Sequence, residues 1–149
     1  MIIVAITDPH DPQATTLLRQ SHALMQELFP PEENYYLSID DLRADDIHFY
    51  TARIDERIVG TGALRVCDGY GEIKSMFVDT AARGKGVADA ILRQIEDQAR
   101  LLDLPILKLE TGNILHAAQK MYARHGFTPC GPFGNYPAVK SSVFMEKTL

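Results

Sequence analysis

Arg83-Gly84-Lys85-Gly86-Val87-Ala88 sets two glycines and two cations immediately before a run of apolar residues. Val87, Ile91, Leu92, Ile95, Ala99 and Leu102 recur at helical spacing, so a helix starts at Gly86. A glycine-rich bend that opens a helix leaves several backbone N–H groups unpartnered and aimed at one point, where the helix dipole adds positive potential. Such a bend suits a phosphate or pyrophosphate, and Arg83 and Lys85 add side-chain charge beside it. Two phosphate motifs are excluded. Val87 stands where a P-loop requires lysine, and Asp89 occupies the third glycine position of a Rossmann turn. What remains is Arg-x-x-Gly-x-Ala, which on its own also describes a plain strand–helix turn.

The rest of the chain must position that bend. Its 149 residues suffice for one domain with a real core, and 46% hydrophobic with 23% charged residues is ordinary for a globular protein. A net charge of −5 argues against nucleic acid as a partner, which calls for a basic stripe, and is compatible with a cationic substrate. Glu32, Glu33, Asp40, Asp41, Asp45 and Asp46 read as a solvated acidic face. Cys67 and Cys130 form no Cys-x-x-Cys pair, and the five histidines have no zinc spacing, so packed free thiols and no metal are expected. With no export signal and no long apolar run, the expected setting is the cytoplasm, away from membranes.

Ile2 to Ile6 reads as a strand. Asp11-Pro12 caps a helix that Pro30-Pro31 stops, and Ser38-Ile39-Asp40-Asp41 resembles a capping box opening a short second helix. His48–Ile54 and Arg57–Cys67 form a hairpin, and a strand from Glu72 to Val78 leads into the bend. Pro105 ends the Gly86 helix. Ile106–Leu109 is a strand, His116–Arg124 a helix capped by Gly126, and Phe127–Cys130 and Ser142–Glu146 are the final strands. Between those two lies an aromatic loop, Gly131 to Pro137. The order is β-α-α-β-β-β-α-β-α-β-β.

That order, the Arg83–Ala88 motif and the segment Ala118-x-x-x-Tyr122-x-x-x-Gly126-Phe127 together resemble the GNAT superfamily of acyl-CoA-dependent N-acetyltransferases. The resemblance runs over nearly the whole chain. It implies an α/β (α+β) fold: a mixed, mostly antiparallel, splayed sheet flanked by helices. Acetyl-CoA is the implied cosubstrate. Its pyrophosphate would lie on Arg83, Gly84, Lys85, Gly86, Val87 and Ala88, and its pantetheine amides would pair with the backbone of Met76, Phe77 and Val78 like an added strand, helped by a bulge.

Tyr122 falls where the family places a tyrosine near the thioester sulfur, and a phenol stays protonated at neutral pH and can donate. Glu72 falls near the acidic residue that deprotonates the substrate ammonium, a role burial would favour by raising its pKa. Local spacing alone leaves Tyr122 as a packing aromatic, and Glu72 and Glu110 as exposed strand-end carboxylates, Glu110 more so. Leu115 departs from the family, many of whose members place a cofactor-binding asparagine there; Asn113 is near but out of register. Tyr35, Tyr36, Phe133 and Tyr136 are expected around a small amine substrate. A homodimer through the last strands or first helices is compatible with the pattern. Transfer of acetyl to a small primary amine by direct attack is the implied activity. The alternative is an acyl-CoA-binding sensor module with little transfer activity.

Overall fold

A computed structural model describes every residue from Met1 to Leu149. Strand β1 (Ile2–Ile6) leads into α1 (Pro12–Leu28), whose first turn is held by the Asp11 carboxylate accepting from the N–H groups of Gln13 and Ala14. Two 3-10 turns follow, Pro31–Glu33 and Asp41–Arg43. The second replaces the expected second helix. Ser38 and Asp41 do exchange the capping-box bonds, at 3.0 and 3.4 Å. Only Leu42 finds a buried site, however, so no apolar face offsets the cost of nucleating a longer helix.

The remaining elements are β2 (Ile47–Ile54), β3 (Arg57–Cys67), β4 (Tyr70–Val78), α2 (Val87–Leu101), β5 (Ile106–Gly112), α3 (His116–Arg124), β6 (Thr128–Cys130) and β7 (Ser142–Thr148). They form a seven-stranded sheet in the order β1-β2-β3-β4-β5-β7-β6. Every pairing is antiparallel except β4 with β5, whose crossover is α2. The mixed, mostly antiparallel sheet and its flanking helices match the fold the resemblance implied.

Strand alternation divides the side chains between two faces. One face packs on α2 and α3 in a cluster of 17 buried residues, including Leu64, Ile73, Ile91, Ile95, Leu107, Leu109 and Tyr122. Helix α2 lies close because Gly60 and Gly62 present no side chain to it. A Cβ on Gly62 would stand 2.5 Å from Ile91. Leu102, expected on this face, is 40% exposed, because α2 ends one residue earlier. The opposite face carries α1 over a smaller cluster of Ala14, Leu18, Leu42, Phe49 and Ala63. Beyond it the loop between β6 and β7 brings Phe133 and Tyr136 against Phe144.

Candidate active site

Strands β4 and β5 pair only from Gly71–Leu107 to Ile73–Leu109, and then part. The departure has a local cause in β4. Ala63 faces Lys74 and Thr61 faces Phe77, so Ser75 and Met76 together oppose Gly62. That extra residue is a β-bulge, with Ser75 at φ +57° and its carbonyl accepting from Thr61 Oγ1 at 2.8 Å. The backbone of Met76, Phe77 and Val78 stays against β3 and turns its other edge to the open fork. Those edge groups can pair with an extended amide chain as a strand would.

The bend lies just beyond the end of β4. Gly84 and Gly86 sit at φ +78° and +84°, the left-handed region that glycine occupies freely. Gly86 is the N-cap of α2 and makes no side-chain cap bond. The first helical bond here runs from Ala90 N–H to the Gly86 carbonyl, and the N–H groups from Gly84 to Asp89 have no backbone partner. A Cβ at Gly84 or Gly86 would meet nothing within 4 Å, so this array opens outward. Arg83 and Lys85 are exposed on either side of Gly84.

On the α1 face of the fork, the side chains of Glu72, Lys74 and Glu110 converge. Glu72 is 4% exposed. It accepts a short hydrogen bond from Tyr136 Oη and lies 3.5 Å from Lys74 Nζ. Lys74 also donates to Tyr136 Oη at 2.7 Å and to the Tyr35 carbonyl at 3.0 Å. Glu110 accepts from Ser142 Oγ at 2.8 Å. Burial raises the Glu110 carboxyl above its ordinary value; Ser142 and Lys74 oppose that shift and Glu72 adds to it. Tyr136 is raised by burial and by Glu72, so it remains a neutral donor. The rings of Tyr35, Phe133 and Phe144 surround Tyr136 edge to face.

Tyr122 lies on the other face, 5% exposed, within the α2–α3 core and against Phe127. Burial alone raises its phenol, which therefore stays protonated. Its hydroxyl has no hydrogen-bond partner in the protein and is not among the sealed unpaired atoms.

Of the acceptor residues read from the sequence, Tyr35, Phe133 and Tyr136 come together. Tyr36 instead stacks on His22 of α1 at 4.0 Å and takes a hydrogen bond from Gln26. Asn113 is exposed at the turn between β5 and α3, and its carbonyl is held by Gln119. Leu115 is the N-cap of α3. Sequence reasoning missed Lys74 and Ser142 entirely. The alternation Tyr70, Glu72, Lys74 was a usable signal, since it places three polar-tipped side chains on one face of a strand whose other face is core. Ser142 had no local signal: its role depends on the β5–β7 register.

The Acetyltransferase (GNAT) family profile matches residues 14–127. An IAA acetyltransferase of Azospirillum brasilense is 37% identical over 99% of this chain and 98% of its own. The chain belongs to the GNAT acetyltransferase family. A crystal structure from Klebsiella pneumoniae assigned to the acyl-CoA N-acyltransferases is 30% identical, covers 100% of this chain and 98% of its own, and superposes with a TM-score of 0.84. The PaiA N-acetyltransferase of Thermoplasma acidophilum, solved in complex with coenzyme A, covers 100% of this chain and 99% of its own at a TM-score of 0.79 and 18% identity. This GNAT protein is an acyl-CoA-dependent N-acetyltransferase. Its unpaired N–H array and bulged strand edge fit an acyl-CoA by their own chemistry: donors for a pyrophosphate and a vacant ladder for amides. No helix is long and apolar enough to cross a membrane.

Proposed function

We propose that the chain transfers the acetyl group of acetyl-CoA to a primary amine of a small molecule by direct attack. The observation that carries this reading is the fork between β4 and β5, which opens to both faces of the sheet at the level of Lys74 and Glu110. A thioester held there would meet the amine from the α1 face and Tyr122 from the α2–α3 face. The amide edge of Met76, Phe77 and Val78 and the bend from Arg83 to Ala88 would hold the donor; Asn113 stands at the rim as a weaker candidate contact. Tyr35, Phe133 and Tyr136 enclose the acceptor side, and Tyr36, next to Tyr35, packs on His22 of α1. An aromatic enclosure suits a small molecule better than a peptide lying in an open groove.

Attack by the amine lone pair on the thioester carbon expels the thiolate. Tyr122 answers that charge. Its pKa lies above the roughly 8.5 of a free thiol, so it acts first as a hydrogen-bond donor to the developing thiolate. Completed transfer of its proton to sulfur is balanced by the N–H proton lost from the new amide. The acceptor ammonium must shed its own proton first, and the carboxylates on the α1 face lie on that side.

Thiol release from acetyl-CoA, read against amino acids, polyamines, aminoglycosides, aryl amines and a lysine peptide, tests the reading. Release that depends on one small-amine class is expected. Binding of acetyl-CoA with no amine-dependent release would overturn it in favour of a sensor, and release with the lysine peptide alone would overturn the small-molecule assignment.

A further inference from the structure

The two edges of the sheet are built differently. At one of them β6 is only three residues long, Thr128–Cys130, with Pro129 at its centre. Proline brings no N–H donor to a ladder, so this edge cannot extend the sheet. The other edge is β1, and it carries none of the features that keep an edge strand from pairing. Met1 to Thr7 holds no charged side chain and no proline. The register with β2 is unbroken from Ile2–Ile54 to Ile6–Tyr50, so no bulge turns the strand aside. Arg53, opposite Ile3 on β2, donates to the Asp55 carbonyl in its own hairpin at 2.8 Å.

Backbone alternation decides which groups this edge presents. The Thr7 N–H bonds the Phe49 carbonyl of β2. Counting back by twos, Ala5 and Ile3 also turn their N–H and C=O groups to β2, and Ile6, Val4 and Ile2 turn theirs away from it. The side chains beside those groups are apolar on both faces. Ile2 and Val4 pack on the α2–α3 core, while Ile6 on the same face is 62% exposed. On the other face α1 lies over β3 and β4, and Ile3 and Ala5 are exposed.

We propose that β1 is a self-association edge, pairing antiparallel with β1 of a second copy of this chain about a twofold axis at Val4. Val4 then faces Val4 of the second copy, and Ile2 faces Ile6 in both directions. This register engages the outward N–H and C=O groups of all three residues. Any other twofold register leaves at least one of them unpaired within β1. An edge without charge brings no like charges together when it meets itself, which is the argument for a second copy as the occupant. Head-to-tail growth is closed off because the far edge is β6, so association stops at a dimer. The last strands, one of the places the sequence suggested for a homodimer, are thus the guarded edge. The β4–β5 fork lies inside the sheet and stays open in both copies.

A five-residue edge spans about 17 Å, short for a standard interface of about 800 Å² per partner, so a dissociation constant of about 10 μM is expected. Sedimentation velocity of the full chain from about 1 μM to about 500 μM should show monomer giving way to dimer. Ile3→Glu combined with Ala5→Glu sets carboxylates opposite each other across the twofold and should stay monomeric throughout. Ile3→Glu combined with Ala5→Lys sets a glutamate opposite a lysine in both directions and should restore the dimer. The two double variants differ in one exposed side chain, so restoration by the second shows that the first lost its partner and not its fold.

Amide hydrogen exchange followed by NMR reads the same edge directly. In wild type the Val4 and Ile6 N–H groups should exchange about threefold more slowly at about 500 μM than at about 30 μM, as the monomer fraction falls. In the Glu–Glu variant their rates should not depend on concentration. A wild type that is monomeric at about 500 μM overturns the proposal. So does a dimer that the Glu–Glu variant keeps, which would lie on another surface, or wild-type exchange at Val4 and Ile6 that ignores concentration. A Glu–Lys variant that stays monomeric overturns the twofold at Val4.

Discussion

Glu96 on α2 and the Glu72–Glu110 pair on the sheet, of which Glu72 is buried and Glu110 half-buried, show two ways to withdraw a carboxylate from water in this protein. Glu96 is 7% exposed and meets two cations, Lys147 at 3.0 Å and Arg100 at 3.6 Å. It sits on the helix that seals the 17-residue core, where an uncompensated charge would cost several kcal/mol. On the opposite face two carboxylates share Lys74. The first arrangement quenches the charge, and the second leaves a deficit that a cationic ligand can fill. The α2–α3 face is therefore the part that holds the fold, and the α1 face is the part whose carboxylate charge is left incompletely paired.

Substitutions on the two faces should separate accordingly. Ile95 is fully buried in the α2–α3 cluster. Ile95→Ala should lose about 3 kcal/mol of unfolding free energy in urea denaturation, the cost of a cavity that neighbours cannot close. A loss under about 1 kcal/mol would show that this core is looser than the packing of α2 on Gly60 and Gly62 implies.

Deleting one oxygen from a tyrosine on each face sharpens the contrast. Tyr122→Phe removes a hydroxyl with no partner in the protein. It should leave stability nearly unchanged and lower kcat about 100-fold, or ~2.7 kcal/mol. Wild-type kcat over the whole pH range would remove Tyr122 from the chemistry. Tyr136→Phe breaks the bridge between Lys74 and Glu72 and should cost about 1–2 kcal/mol of stability, with KM raised more than kcat is lowered. Equal stability of the two variants would undo the distinction drawn between the faces.

At the bend, Gly86→Ala must adopt φ near +84° but meets no neighbour. A stability loss of about 1 kcal/mol is expected from backbone strain alone. Acetyl-CoA binding measured by calorimetry should weaken as well, because the strain is relieved by turning the N–H array away.

The smallest effect is electrostatic. Asp89, in the first turn of α2, joins that helix to α3 through His125 at 2.7 Å and Arg124 at 3.0 Å. The His125 hydrogen bond, then Arg124, holds the Asp89 carboxyl below its ordinary value. A depressed folded pKa contributes stability above the unfolded value of about 3.9 and loses it as pH falls through the folded one. Wild type should exceed Asp89→Asn in melting temperature near neutral pH, and the gap should close below about pH 4. A gap unchanged at low pH would mean that the carboxylate charge is not what joins the helices.

The amino-acid sequence by itself determined most of the elements and the glycine bend before α2. Periodicity placed α2 and the strands, and the Gly84 and Gly86 positions specified a left-handed backbone, because these signals are local and repeat within one element. Capping residues foretold a second helix that shrank to one 3-10 turn, since whether a turn propagates depends on a packing face that lies elsewhere in the chain. The polar cluster on the α1 face was decided only by tertiary structure. Glu110, Ser142, Lys74 and Tyr136 come from three strands and a loop, and what each carboxylate can do depends on burial and on which cation it shares. Desolvation and pairing are properties of neighbours distant in sequence, so the chain could present its carboxylates but only the sheet register and the aromatic loop give them different surroundings.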